Sequence, residues 1–390
     1  MHGLARCICG TMLAAMSTSF ADLVAASLKA ERFTLVDIGC SGGLEPAWRV
    51  FGEKFRAVGF DASIDECRSL MARESHPDVK YVAGFVDLPA HHPFAKRSEA
   101  TPPTTRNPFR RLSAAWALEL RRERLETASL VEKRDHNAWR MTELADPQQR
   151  LFAPDVLKDA GCIDVDLLKI DIDGLDFRAL NSFDGLLDEF RILALRLEVN
   201  LFGGPEDTVH CFHNTDRFMR ERGFDLFALD GRNYSSRALP AKFAITAPAQ
   251  TLTGRILQAD AYYARDICSD YQREPGAGFG AEKIAKLAAI FSIWRQPDSA
   301  AEILLTFRNR LQPLLDVDRA LDLLAAQSQP ALIKPLPYVD YMALFASDSP
   351  RFYPTPVEIA YAPPSLLKRL KMARRAFNDP NNAFLSNEFK

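Results

Sequence analysis

The sequence predicts an α/β protein with a doubly wound, mostly parallel sheet covered by helices on both faces, followed by a mainly helical C-terminal region. Two observations support this prediction. Short apolar runs alternate with amphipathic stretches as far as about residue 246, as expected for parallel strands joined by helices. From about residue 250, strand-like runs become few and apolar residues recur at three-and-four spacing.

The composition is that of an ordinary globular protein. The 390 residues are 47% hydrophobic and 26% charged, with a net charge of −2 at pH 7. This charge gives no electrostatic footprint for nucleic acid, and we expect no nucleic-acid partner. No apolar run approaches the roughly 18 residues that a membrane span needs. The seven cysteines form no metal-binding or disulfide pattern, so we predict reduced thiols in a cytoplasmic protein.

The N-terminal residues 1–29 predict a tail and one helix. Residues 1–21 lack the charged start and clean apolar core of a signal peptide. Met16 is an alternative start, and Ser19 is placed to cap a helix over about 20–29.

The α/β region begins with a strand–helix–strand pattern. Apolar runs predict strands over 33–38, 56–60 and 79–85, with a helix over about 63–74. A stretch rich in proline and polar residues follows at 88–110, and a charged stretch with helical spacing occupies 111–134. We interpret residues 88–145 as an insertion that forms a lid or substrate loop, or else a surface excursion with no role.

Regular alternation resumes at about residue 152. The predicted strands and helices are a helix over 153–160, a strand over 165–170, a helix over 176–188, a strand over 191–199, a helix over 208–222, a strand over 224–229 and a last strand over 243–246. The α/β domain is therefore predicted to span 30–248.

The C-terminal region, 249–390, carries helical patterns over 281–294, 298–311 and 316–327, and a basic helix over 365–376. It contains no catalytic motif. We expect it to cover the active site, form a homodimer or bind a partner that carries the acceptor.

A glycine loop follows the first predicted strand. The loop is Gly39-Cys40-Ser41-Gly42-Gly43, and Asp61 ends the second strand about twenty residues downstream. Glycines let the backbone approach a ligand, and a carboxylate in this place can accept two ribose hydroxyl hydrogen bonds. The pattern therefore predicts a nucleoside site. The alternative is a βαβ unit whose glycines only form a tight turn.

The loop departs from a dinucleotide fingerprint. Ser41 stands where G-x-G-x-x-G has its second glycine, and Asp37 precedes the loop. An anion at Asp37 would repel a pyrophosphate but would suit a cationic ligand. S-adenosylmethionine carries a sulfonium and an ammonium and no phosphate. The segments V-D-I-G-C-S-G-G and G-F-D resemble the first two motifs of class I S-adenosylmethionine-dependent methyltransferases, which have a Rossmann-like sheet.

A second motif sharpens the resemblance. Residues 167–176, L-L-K-I-D-I-D-G-L-D, resemble the L-K-I-D-x-E-G-x-E signature of FkbM-type methyltransferases, with Asp173 and Asp176 in place of glutamates. Residues 195–199 resemble the next strand of that family, which ends in an acid, here Glu198. The resemblance covers about residues 30–245 and is specific at three places.

The resemblance and the strand ends together give candidate site residues. The acids at or near predicted strand ends are Asp37, Asp61, Asp87, Asp171 and Glu198. The predicted cofactor-binding residues are Asp37, Gly39, Cys40, Ser41, Gly42, Gly43, Asp61, Ala62, Asp87 and Asp171. Asp87 is expected near the adenine.

Catalysis would need a base when the acceptor is a hydroxyl. The predicted catalytic residues are Asp171, Asp173 and His210. Other candidates for a base are Asp176, Glu198 and His213, and the same carboxylates could instead hold Mg²⁺ through waters. We assign no metal ligands. Lys169 lies in an apolar strand, where an acid partner would compensate its burial.

The predicted function is methyl transfer from S-adenosylmethionine to a hydroxyl of a sugar, glycan or other small molecule. The acceptor class follows only from the resemblance. One alternative is an NAD(P)-dependent oxidoreductase on the same type of sheet, which lacks a persuasive Tyr-x-x-x-Lys pair here. The other is a non-catalytic interaction module that keeps the methyltransferase fold.

Overall fold

The structure, a computed structural model, describes residues 19–100, 108–126, 144–146, 149–172, 174–245, 247–269, 278–329 and 334–353. Its strands are β1 (Phe33–Ile38), β2 (Phe55–Asp61), β3 (Val79–Ala83), β4 (Phe85–Val86), β5 (Arg150–Leu151), β6 (Leu167–Ile170), β7 (Ala194–Asn200), β8 (Asp225–Tyr234) and β9 (Arg255–Ala264).

The α-helices of the described residues match most of the predicted helices. They are α1 (Phe20–Ser27), α2 (Ile64–Arg73), α3 (Pro93–Ala100), α4 (Ser113–Glu126), α5 (Ala153–Asp159), α6 (Asp176–Asn181), α7 (Phe212–Arg220), α8 (Ala281–Ile293), α9 (Pro297–Thr306), α10 (Arg308–Leu311), α11 (Val317–Ser328) and α12 (Tyr338–Ser347). Short 3₁₀ helices occupy Pro46–Lys54, Phe109–Arg111 and Ser349–Phe352. The predicted cap of α1 is confirmed, since the Ser19 hydroxyl accepts the Asp22 N–H at 3.1 Å.

Seven strands form one mostly parallel sheet in the order β3-β2-β1-β6-β7-β9-β8, which confirms the predicted architecture. β1, β2, β3, β6 and β7 are parallel to one another, while β9 is antiparallel to both β7 and β8. The chain leaves β1 for β2 on one side and later returns to β6 on the other. Ile38 is in register with Phe60 and Ile170, so the carboxyl ends of β1, β2 and β6 are level. A reversal of this kind opens a crevice for ligands.

The strand predicted over 243–246 is wrong. Phe243 forms only an isolated bridge to Thr251, and the last strand is β9. Three of the buried positions of β9 are alanines, while Gln258 and Asp260 lie on its other face. Little apolar character therefore marks this strand in the sequence. β9 belongs to this sheet although it lies after residue 248, where the α/β domain was predicted to end. The predicted domain bounds stay a prediction.

Two of the predicted helices are shorter in the structure than expected. α6 ends at Asn181, where turns replace the helix predicted to continue to 188, and α7 begins at Phe212 rather than near 208. The predicted basic helix over 365–376 and residues 1–18 lie outside the described residues.

The predicted insertion leaves and rejoins the α/β region at one place. β4 precedes it, β5 follows it, and these two short strands pair in parallel as a separate sheet. Within the insertion, Ala145 N–H donates to the carbonyl of Ala62 at 2.8 Å. The end of the insertion is thereby fixed beside the residues that follow β2.

Buried ion pairs hold α8 against the amino-terminal ends of the parallel strands. Lys283 and Lys286 are 0% and 1% exposed, and their Nζ atoms lie 2.8 and 2.9 Å from the carboxylate of Asp166. Asp166 precedes β6 and also accepts the Thr34 N–H of β1 at 2.8 Å. A buried carboxylate needs such partners because desolvation of an unpaired charge is costly.

The chain divides into two compact units, Met1–Ala320 and Leu321–Lys390. In the second unit, Asp322 Oδ1 accepts the Tyr338 N–H at 2.7 Å, and Phe352 packs edge-on against Tyr341 and Phe345. Among the helices of the described ranges, none is both long and apolar enough to cross a membrane.

Candidate functional site

The turn after β1 is held in close contact with the chain leaving β6. Gly39 has φ +95°, and a Cβ atom on it would lie 1.8 Å from the carbonyl oxygen of Asp171. Only glycine satisfies both the conformation and the space. The Gly39 and Cys40 N–H groups donate to the carbonyl of Phe60 at 2.8 and 3.0 Å, so the turn also contacts β2.

The remaining loop residues present backbone more than side chains. Cys40 is 1% exposed, and burial raises the pKa of its thiol. Its side chain therefore packs into the protein interior beneath the loop. Ser41 and Gly42 are exposed, and Gly42 has φ +80°. The Gly42 N–H donates to the Glu66 carboxylate at 3.1 Å, which ties the loop to α2.

Asp37 and Lys169 form an ion pair inside this junction. They are register partners on β1 and β6, and Lys169 Nζ lies 3.0 Å from Asp37 Oδ1 and 3.2 Å from the carbonyl of Gly39. The carboxylate of Asp171 is 3.9 Å from the same ammonium. Burial raises the pKa of Asp37 to about 6, although the Lys169 ammonium opposes the shift. The expected acid partner of Lys169 is thus confirmed.

This pair corrects one step of the sequence argument. Asp37 was treated as an unpaired anion that would repel a pyrophosphate, but Lys169 already neutralises it. The better exposed carboxylates are Asp171, whose side chain is 33% exposed, and Asp61 at the end of β2. Burial raises the pKa of Asp61, and its Oδ1 atom accepts the Ser63 N–H at 2.7 Å. The two carboxylates of Asp37 and Asp171 beside the one ammonium of Lys169 leave this junction net negative when all are ionised.

Asp87 does not lie free at the end of its strand. Its two carboxylate oxygens accept hydrogen bonds from Arg178 Nε and Nη2 at 2.8 and 3.2 Å, and Arg178 Nη1 donates to the Ser98 hydroxyl at 2.6 Å. Because this pairing is bidentate and buried, Asp87 and Arg178 connect α3 with α6, and the expected position of Asp87 near an adenine stays a prediction. Arg178 was not among the predicted site residues, since nothing near Asp87 in the sequence indicates its partner.

Asp176 fixes the loop that follows β6. Its carboxylate accepts the N–H groups of Ile172 and Gly174, both at 2.8 Å, and lies 3.5 Å from Nδ1 of His210. Asp176 is 3% exposed, so it is a positioning residue rather than an available base. Asp173 lies outside the described residues. β6 ends at Ile170, so Asp171 follows the strand and is not part of its alternation.

His210 lines a cavity beside this loop. The cavity has a volume of about 370 Å³ and is lined by Ser98, Gly174, Leu175, Phe177, Arg178, Asn200, Phe202, Thr208, Val209 and His210. We call it the His210 cavity. His210 Nε2 lies 3.0 Å from the carbonyl of Glu198, and Asn200 Nδ2 lies 3.4 Å from Nδ1. Since a carbonyl only accepts, Nε2 carries the proton and Nδ1 is unprotonated in the neutral ring.

The other candidate bases are placed differently. Glu198 is 3% exposed and pairs with Arg232 at 2.6 Å. His213 is exposed on α7, with its ring 3.2 Å from Cys211 Sγ, and does not line the cavity. Among the residues that the structure describes, no group of three or more His, Cys, Asp or Glu side chains could hold a metal ion. The Mg²⁺ alternative therefore gains no support.

Comparison with known proteins gives a family match. Residues 124–226, about a quarter of the chain, match the methyltransferase FkbM domain. This match confirms the resemblance that the L-K-I-D motif indicated. No curated protein matches the chain.

Similar solved structures are also methyltransferases by description. One is a TehB-like SAM-dependent methyltransferase from Corynebacterium glutamicum (8% identity, 64% of this chain and 89% of that chain covered, TM-score 0.26). Another is a SAM-dependent methyltransferase from Aquifex aeolicus (8% identity, 63% of this chain and 89% of that chain covered, TM-score 0.26). A third is a complex of the Trm112 methyltransferase activator with a methyltransferase from Haloferax volcanii (10% identity, 63% of this chain and 88% of that chain covered, TM-score 0.28). At these TM-scores the fold is argued from the strand order alone.

We expect a pH-dependent stability contribution from Asp37. Its pKa is about 6 in the folded state against the ordinary value of 3.8, so between these values the folded state binds more protons than the unfolded state. The free energy of unfolding of the wild type, relative to Asp37→Asn, should therefore rise by roughly 2–3 kcal/mol as pH falls from 7 to 4. Urea titrations at a series of pH values measure this difference. A difference that falls with acidification would mean that Lys169 outweighs burial.

Proposed function

We propose that the protein transfers the methyl group of S-adenosylmethionine to a hydroxyl oxygen of a sugar, glycan or other small molecule. One juxtaposition supports this proposal most strongly. The backbone of Asp171 contacts the glycine loop, and Gly174, three positions on, lines the His210 cavity. A nucleoside site and a cavity with a base thus share one short segment.

The residues at the carboxyl ends of β1 and β2 fit an adenosyl ligand. Gly39, Gly42 and Gly43 have positive φ and expose backbone in the loop, while Asp61 and Ala62 end the neighbouring strand. Asp61 would accept the ribose hydroxyls. The net negative junction of Asp37, Asp171 and Lys169 suits a ligand that carries a sulfonium and an ammonium.

Within this proposal, His210 is the base. Bound S-adenosylmethionine would supply an activated methyl group, so the protein has only to align the acceptor and take its proton. Nδ1 of His210 can accept the hydroxyl proton when the acceptor displaces the long contact from Asn200, 3.4 Å, while Nε2 keeps its hydrogen bond to the Glu198 carbonyl. The Asp176 carboxylate, 3.5 Å away, then stabilises the imidazolium by its charge. Asp171 lies between the loop and the cavity and would orient the cofactor.

The two alternatives are separated by ligand binding. A dinucleotide enzyme would bind NAD(P) at the same strand ends, although Ser41 still replaces the second glycine of its fingerprint. A non-catalytic module would bind an adenosyl ligand or nothing, and would not turn over.

We expect S-adenosylmethionine and S-adenosylhomocysteine to bind at micromolar concentrations and NAD not to bind. Replacing Asp61 with alanine should weaken both adenosyl ligands by about 10- to 100-fold, since hydrogen bonds to a charged group are lost. Isothermal titration calorimetry on the full chain measures these affinities.

The matched control for this titration is Asp65→Ala. Asp65 lies in the first turn of α2, four residues from Asp61, and its side chain is 45% exposed. Its replacement should leave the affinity unchanged. Absence of binding by both adenosyl ligands to the wild type would refute the proposed function.

Replacing His210 with glutamine should lower kcat by roughly 10²- to 10⁴-fold, because the ring that takes the proton is lost. The affinity for S-adenosylhomocysteine should not change. Transfer of a labelled methyl group to a panel of monosaccharide methyl glycosides measures kcat. His213→Gln is the control, since this exposed ring lies outside the cavity. Full activity of the His210 variant would contradict the assignment of the base.

A further inference from the structure

A second cavity lies beside the His210 cavity. Its volume is about 410 Å³, and we call it the Arg217 cavity after one of its lining residues. Phe177 lines both cavities, and two pairs of adjacent residues are divided between them. Arg97 lines the Arg217 cavity and Ser98 the His210 cavity, and Asp207 and Thr208 are divided in the same way. The two cavities are therefore neighbours along α3 and the segment before α7.

The charges of the second cavity are balanced. Its charged lining residues are Arg97, Arg217, Arg222, Asp184, Asp207 and Glu221, which sum to zero when all are ionised. A phosphate or carboxylate ligand would meet three carboxylates, and a cation would meet three guanidinium groups. The wall instead offers donors and acceptors together, which suits neutral groups that both donate and accept, as hydroxyls do.

Among the residues that the structure describes, part of this hydrogen-bonding capacity is unused. The closest N···O distance between Arg97 and Asp207 is 3.8 Å, too long for a hydrogen bond. Arg217 donates to the Asn214 side chain at 3.2 Å, and among the described residues it forms no ion pair. Arg222 differs, because it is held by Asp184 at 2.9 Å and lies 3.6 Å from the centre of the Phe218 ring.

Three phenylalanines line the second cavity and give it a small apolar area. Phe94, Phe177 and Phe218 are 3%, 4% and 6% exposed, and their rings meet edge to face at 5.4 and 6.1 Å. Aromatic groups beside a balanced set of polar groups suit a ring that is apolar on one face and carries hydroxyls at its edge. No histidine is among the described residues that line the Arg217 cavity, so it has no counterpart of the His210 and Asp176 pair. We therefore assign this cavity to ligand binding and not to proton transfer.

We propose that the Arg217 cavity binds a second, uncharged hydroxyl-bearing ring of an extended acceptor, next to the ring that is methylated. This inference rests on the proposed function, because the reacting hydroxyl would lie in the His210 cavity. Arg97, Asp207 and Arg217 are the residues that set this specificity. The acceptor is thus an oligosaccharide or a glycoside of at least two rings rather than a monosaccharide.

The test compares uncharged monosaccharide methyl glycosides with matched disaccharides on the full chain. Saturation-transfer NMR with S-adenosylhomocysteine present measures binding, and labelled methyl transfer gives KM and kcat. We expect at least one disaccharide to have a KM about tenfold below that of its monosaccharide. Arg217→Gln and Asp207→Asn should each raise the disaccharide KM by about three- to tenfold, with kcat and the monosaccharide KM unchanged.

Arg220→Gln is the matched control, since Arg220 lies on the same helix, pairs with Asp216 and lines neither cavity. Equal effects of the Arg217 and Asp207 variants on mono- and disaccharides would overturn the inference. So would binding of none of the panel. Because NMR detects binding without turnover, loss of the two-ring preference is distinguishable from failure to bind S-adenosylhomocysteine, which would sink the proposed function itself.

Discussion

The close approach of Gly39 to the backbone of Asp171 is the constraint on which the site depends. A side chain at position 39 would meet the Asp171 carbonyl oxygen at 1.8 Å, so the chains leaving β1 and β6 can lie side by side only with glycine there. This contact brings the glycine loop next to Asp171. Asp176 accepts the N–H groups of Ile172 and Gly174 and lies 3.5 Å from His210. One steric requirement thereby connects the glycine loop with residues beside the His210 cavity.

Charged groups act differently at the two ends of the parallel strands. At the amino-terminal ends, the carboxylate of Asp166 contacts Lys283 and Lys286, and these ion pairs are fully buried. Such a network specifies how α8 docks more than it stabilises the fold, since desolvation offsets most of the attraction. At the carboxyl ends, Lys169 leaves Asp37 paired but Asp171 only partly so, at 3.9 Å. Uncompensated negative charge therefore remains where a cationic ligand would bind.

Local sequence signals predicted the first half of the sheet and the glycine loop well. The apolar runs at 33–38 and 56–60 form β1 and β2, and their buried positions include large apolar residues such as Phe33, Leu35 and Phe60. β9 escaped the prediction because three of its buried positions are alanines, which give a weak apolar signal. The docking of α8 was also unpredictable, since Lys283 and Lys286 resemble solvated lysines until Asp166 is placed beside them.

The candidate site was predicted in its residue types but less in its pairings. Asp37 and Asp61 were expected at strand ends, and both lie there. Sequence could not show that Arg178 takes both carboxylate oxygens of Asp87, because the two residues are 91 positions apart. The second cavity likewise depends on helices and a loop that meet only in the folded chain.

The most direct test is a crystal structure of the full chain with S-adenosylhomocysteine. The account predicts that the ribose hydroxyls lie within hydrogen-bonding distance of the Asp61 carboxylate. It also predicts that the adenosyl ligand packs on the Gly39–Gly43 loop, with its sulfur directed toward the His210 cavity. A ligand bound elsewhere, or with its sulfur directed away from that cavity, would contradict the claim that the strand ends and the cavity form one site.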